Sequence, residues 1–99
     1  MAQSRTRTRE FDAARYLEKE RDVIGYLESA LEDGDPSVIA AALGDIARAR
    51  GMSLIARKAR LGRESLYKAL AANGNPQLST VLSVLRALGL TLRVAPIPD

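Results

Sequence analysis

The sequence predicts an all-α fold, a single domain of five to six helices followed by a short C-terminal β-strand. Two observations of composition and pattern point there. Apolar residues make up 46% of the chain but aromatics only 4%, so the core is built from Leu, Ile, Val and Ala, which fill helices well. Those aliphatics recur at helical spacing, and glycines and an Asp-Pro pair cut the periodic runs into helix-sized pieces. Ninety-nine residues make one domain. The expected division is a flexible basic arm over 1–10, a helical domain over 11–95 and a tail over 96–99.

The arm carries Arg5, Arg7 and Arg9 among Ser and Thr. Asp12 then caps a short helix, Ala13 to Leu17, with Phe11 folding back as a hydrophobic staple. From Lys19 to Asp33 the residues Val23, Ile24, Leu27, Ala30 and Leu31 form a single apolar stripe, and Gly34 ends that helix. Asp35-Pro36 supplies an N-cap and a proline at the first helical position. Val38, Ile39, Ala42, Leu43 and Ile46 share one face of the helix that follows, and Gly51 stops it. Ser53 caps a short helix, Leu54 to Ala59, and Arg60-Leu61-Gly62 turns the chain into another, Arg63 to Ala71. Asn73 to Pro76 form a loop and the start of the last helix, which turns Leu78, Val81, Leu82, Leu85 and Leu88 inward before Gly89 ends it. Leu90, Leu92 and Val94 alternate with Thr91 and Arg93, the two-residue period of a strand.

What the chain lacks bounds its chemistry. With no Cys and no His, it cannot assemble a Cys nucleophile, a His general base, a Ser-His-Asp triad or a Cys/His zinc site. The expectation is a non-enzyme with no cofactor and no metal. The missing cysteines also suit a reducing cytoplasm. No stretch approaches the roughly 18 apolar residues of a membrane helix, and the N-terminus lacks the apolar run of a secretory signal.

Net charge is only +3, but it is unevenly distributed. From Asp12 to Asp35 there are eight acids against three bases; from Asp45 to Lys68 there are seven bases against two acids. A basic working surface beside an acidic one that faces another partner accounts for this, as do two ordinary solvated faces. The pattern from Met52 to Ala71 decides between them. Two short helices, a three-residue turn and a basic second helix have the shape of a helix-turn-helix. Ala56 sits where the two helices pack closest. Ile55, Ala59, Leu61, Leu66 and Ala69 stand where such a unit is apolar. A helical hairpin in an ordinary bundle is the alternative. The turn departs from the usual pattern, with Arg60 where glycine commonly takes the left-handed backbone and the glycine two residues later, at Gly62.

The run GDPSVIAAALGDIARARGMSLIARKARLGRESLYKAL, with GNPQLSTVLSVLRALGLTLRV after it, resembles the addiction-module antidote proteins, a family of phage-repressor-like helix-turn-helix antitoxins. The similarity covers Phe11 to Val94. It implies a cytoplasmic, homodimeric DNA-binding protein that binds a small basic toxin of the RelE/HigB type and represses the operon they share. Arg60 and Gly62 stand where the family more often shows Gly and then Ser. A stand-alone phage-type repressor without a toxin is the nearest alternative, and a helical adaptor or RNA-binding module would use the same basic face.

Base reading is expected from Arg63, Glu64, Tyr67 and Lys68. Arg63 can pair bidentately with a guanine edge, Glu64 can accept from a cytosine amino group, and Tyr67 and Lys68 can reach a base edge or a phosphate. Tyr67 serves equally as a cover residue, and Glu64 as a group that orients Arg63 or Lys68. Arg57, Lys58 and Arg60 are phosphate candidates because the first helix of such a unit crosses the DNA backbone, with Ser53 and Asn73 beside them. Arg48 and Arg50 also complement a helix C-terminus. Glu28, Glu32 and Asp33 are candidates for a basic toxin. Leu90, Leu92 and Val94 form an edge that a second copy or a toxin sheet can cover.

Overall fold

Five helices follow one another through residues 19–98, the part of the chain that a computed structural model describes. They are α1 (Glu20–Asp33), α2 (Pro36–Arg50), α3 (Met52–Ala59), α4 (Arg63–Ala69) and α5 (Leu78–Ala87). The basic arm and the helix stapled by Phe11 fall outside the described residues. So does any test of the division at residue 10.

The boundaries follow local chemistry. Gly34, with φ 81°, ends α1 and donates its N–H to the Ala30 carbonyl. Asp35 caps α2: its carboxylate accepts from the Ser37 backbone N–H and hydroxyl, both at 2.9 Å, with Pro36 at the first helical position. Those two hydrogen bonds hold the Asp35 carboxyl below its usual pKa. At the end of α3 the Arg60 N–H donates to Arg57 O at 3.2 Å and the Leu61 N–H to Ala56 O at 2.9 Å. This is a Schellman closure, and it forces Arg60 to φ 59°, the left-handed value glycine adopts more readily. Gly89 and Leu90 repeat the same closure at the end of α5, onto Arg86 O and Leu85 O.

The core is aliphatic, as the composition requires. Val23 and Leu27 of α1 meet Leu43 and Ile46 of α2, Ile55 and Ala56 of α3, Leu66 of α4, Leu70, and Val84 and Leu85 of α5. α1 packs on α2, and α3 packs on α2, α4 and α5. Gly44 lets α2 approach the end of α4, since a Cβ there would lie 2.6 Å from the Leu70 carbonyl oxygen.

Several expectations need correction. Residues 90–98 form no strand: Leu92 and Val94 are exposed, Leu90 is half-buried, and the segment has no ladder. A strand exists only through pairing, and no other extended segment lies among the described residues to pair with it. Ser53 is not an N-cap. Gly51 holds that place, α3 begins one residue earlier than Ser53, and no side chain caps it. α4 stops at Ala69 rather than Ala71. Ile24, Leu31, Val38 and Leu78 are not buried, because the described helices cover only the central part of each apolar stripe.

A tyrosine ties α1 to α2. The Tyr26 hydroxyl donates to Asp45 Oδ2 at 2.6 Å, and the other oxygen of that carboxylate accepts from Arg48 at 2.8 Å. Burial, then the bond to Asp45 and its negative charge, raise the Tyr26 pKa from 10 to about 12. The folded state therefore holds the phenolic proton more tightly than the unfolded chain. The resulting stability is complete below pH 10 and lost as pH rises to about 12. Tyr26→Phe should cost about 1 kcal/mol near neutral pH, the usual net value of one such bond. Denaturant titrations of both proteins should show this gap closing between pH 10 and 12. A gap independent of pH would mean that the hydroxyl is not paired to Asp45.

Candidate functional site

α4 is short, and its sequence divides it into two faces. Leu66 is its one buried residue, 0% exposed, and anchors the helix to the core. Arg63, Glu64, Ser65, Tyr67 and Lys68 are all exposed. The four expected base-reading residues thus lie on one short helix. One detail of their arrangement was not foreseen: the Arg63 guanidinium lies 5.5 Å from the centre of the Tyr67 ring, with a long 3.5 Å contact to its hydroxyl. The two residues are one helical turn apart, so the ring holds the guanidinium in place by a cation–π contact. No protein carboxylate pairs with Arg63 or Lys68 among the described residues.

α3 lies alongside. Ser53, Arg57 and Lys58 are exposed on it, and Arg60 is exposed at its C-terminal cap. These residues do not form a single cluster. Lys58 and Arg60 line a cleft of about 770 Å³ together with Arg50, Ser83 and Arg86, over a floor that includes Ala59, Ala87 and Leu88. Ser53 and Arg57 stand outside it. Asn73 is exposed in the loop after α4 and does not line the cleft. Sequence reasoning passed over Arg86 and Ser83, which come from a helix far along the chain. Only the tertiary packing of α3 on α5 brings them to Arg60.

The acidic residues sit elsewhere. Glu28 and Glu32 are exposed on α1; Asp33, also exposed, accepts from the Asp35 N–H at 3.2 Å and so braces the start of α2. Glu28 shares a groove of about 400 Å³ with Ile24, Leu31, Leu85, Leu90 and Leu92. Two groups of residues singled out separately, one acidic and one C-terminal, thus meet at Glu28. Glu32, Asp33 and Val94 do not line that groove. No helix of the described residues is long and apolar enough to cross a membrane.

Comparison with known proteins adds a family. Residues 7–96 match the model of a family described as "Probable addiction module antidote protein". A protein of Haemophilus influenzae carrying the name "Uncharacterized protein" is 48% identical over 86 residues, which span 87% of this chain and 89% of that one. No solved structure matches.

Proposed function

This chain belongs to the family of probable addiction module antidote proteins, and on that premise we propose that it is an antitoxin that also represses its own operon by binding DNA. In this reading α3 and α4 are the two helices of a phage-repressor-like helix-turn-helix. A cytoplasmic homodimer sets one α4 in each of two major grooves of a palindromic operator. The protein partner is a small basic toxin of the RelE/HigB type.

The observation that carries the DNA reading is the division of α4 into one buried leucine and an outward polar face, where Tyr67 pre-positions Arg63. A guanidinium held over a ring loses little freedom on meeting a guanine O6/N7 edge, which favours bidentate pairing. Lys68 reaches a base or a phosphate, Glu64 a cytosine amino group, and Ser53 and Arg57 hold the backbone from α3. Away from α4 in the chain, Glu28 and Glu32 of α1 offer charge to a basic toxin, and Leu90 and Leu92 offer apolar surface.

The test is a binding titration with duplex from the protein's own promoter, where half-sites should lie about 34 Å apart or a multiple of that. Affinity should fall steeply with salt as phosphate contacts are lost. Arg63→Ala should cost the operator about 1–3 kcal/mol and relax base preference at one position. Arg57→Ala should weaken operator and scrambled duplex equally. Equal wild-type affinity for the two duplexes, or identical behaviour of the two variants, overturns the placement of α4 in the groove.

A further inference from the structure

Three helices end at one cleft: α2 at Arg50, α3 at Lys58–Arg60 and α5 at Arg86–Gly89. Each C-terminus carries about half a negative charge, so the three together set about one and a half negative charges against four cations. Helix capping therefore explains part of this charge but not most of it. No carboxylate lines the cleft, and none pairs with these four side chains among the described residues. Arg50 adds a second, independent sign. Its Nε is buried and has no hydrogen-bond partner among the described residues, a condition native proteins seldom leave unanswered. That Nε is shielded where it lies, and a phosphate in the cleft becomes its acceptor if the Arg50 side chain turns outward.

We propose that this cleft holds the phosphodiester backbone of DNA flanking the half-site that α4 reads, with Arg50, Lys58, Arg60 and Arg86 as the phosphate ligands. The proposal rests on the DNA-binding reading above and extends it to a surface beyond α4. Its geometry suits a continuous chain of phosphates better than a single anion. The cleft is open, its volume of about 770 Å³ far exceeds one phosphate, and its charge is of one sign. Arg60 lines the cleft and stands only three residues before Arg63, across the Leu61–Gly62 turn, so the cleft begins within a short stretch of chain from α4. Arg60 and Arg86 are exposed and Ser83 is half-buried, so a strand can reach the cleft without rearrangement of the core.

The test is the double variant Lys58→Gln with Arg86→Gln, two exposed residues whose replacement leaves the core intact, as an unchanged melting temperature would verify. The logarithm of affinity should be followed against the logarithm of salt concentration, on the operator with its flanks, on the operator trimmed to its half-sites, and on scrambled duplex. Each lost phosphate contact lowers that slope by about 0.9, so the double variant should lose a slope of about two on the flanked operator and on scrambled DNA. On the trimmed operator, wild type and variant should converge. An unchanged slope on flanked DNA overturns the proposal, as does weakened toxin binding with DNA unaffected, which would make the cleft a site for an acidic protein segment. If Arg63→Ala leaves operator preference intact while the double variant still loses slope, the reading of α4 fails and the cleft stands. If the wild type binds no duplex, both fall.

Discussion

Leu66→Ala should lower the melting temperature by roughly 8–40 °C and abolish the proposed DNA binding before the rest of the domain unfolds. Leu66 is fully buried and is the only buried residue of α4, so nothing else on that helix compensates for its loss. Truncating such a leucine costs about 2–5 kcal/mol, counting the lost transfer energy and the cavity left behind. A domain of this size has about 5–15 kcal/mol in total, and about 1 kcal/mol moves the midpoint of so small a domain by roughly 4–8 °C. Leu66→Met keeps the volume and should cost under about 1.5 kcal/mol. Thermal melts followed by circular dichroism, with operator binding measured at each temperature, give both readouts. A melt within a few degrees of wild type would show that α4 is not held by this side chain.

Arg63→Ala with Lys68→Ala should remove repression and leave toxin neutralisation intact, whereas reversing Glu28 and Glu32 to lysine should do the opposite. The two sets lie on different helices, α4 and α1, and no hydrogen bond or ion pair joins their side chains among the described residues, so their effects should be close to independent. In the proposed mode, losing a guanine contact of Arg63 alone should cost about 1–3 kcal/mol, about 5- to 150-fold in operator affinity. Exposed ion pairs contribute about 0.2–1 kcal/mol each, so loss of two attractions accounts for up to about 30-fold in toxin affinity and the repulsion of the new lysines adds to it, chiefly through slower association at low salt. Asp33 is best left unchanged, because its carboxylate braces the start of α2 and its loss would mix folding with binding. Operon reporter assays and growth rescue on co-expression with the neighbouring small basic protein separate the two activities. A toxin complex indifferent to both reversals would move that interface away from the Glu28 groove, toward exposed C-terminal residues such as Val94.

The parts of the fold that sequence foretold are those decided within a few residues. Asp35-Pro36, Gly34 and Gly89 mark their boundaries because a cap or a left-handed turn is a local matter. Leu66 faces inward and Arg63, Glu64, Tyr67 and Lys68 outward because a helix of known phase fixes both faces at once. What escaped depends on neighbours distant in the chain. The alternation of Leu90, Leu92 and Val94 describes an extended segment but cannot say whether a second strand lies beside it. The stripe in α1 includes Ile24 and Leu31, yet its periodicity carries no information on how wide a cover α2 provides. Arg50 read as a helix-end cation and Arg86 drew no notice, because the two share a cleft only when α2, α3 and α5 end together.

In the proposed reading of DNA by α4, the brevity of that helix limits how much information it can extract. Seven residues span about 10 Å, the length of roughly three base pairs. Three specified pairs amount to about six bits, a word that recurs by chance about once in 64 positions, against the million or more competing sites of a genome. A second copy at fixed spacing doubles the message to about twelve bits, which still leaves hundreds of chance matches in about a million base pairs. For the proposed repressor, addressing one operon therefore needs several further bits from outside the three-letter words: from the stiffness and groove width of the DNA between them, or from operators repeated side by side.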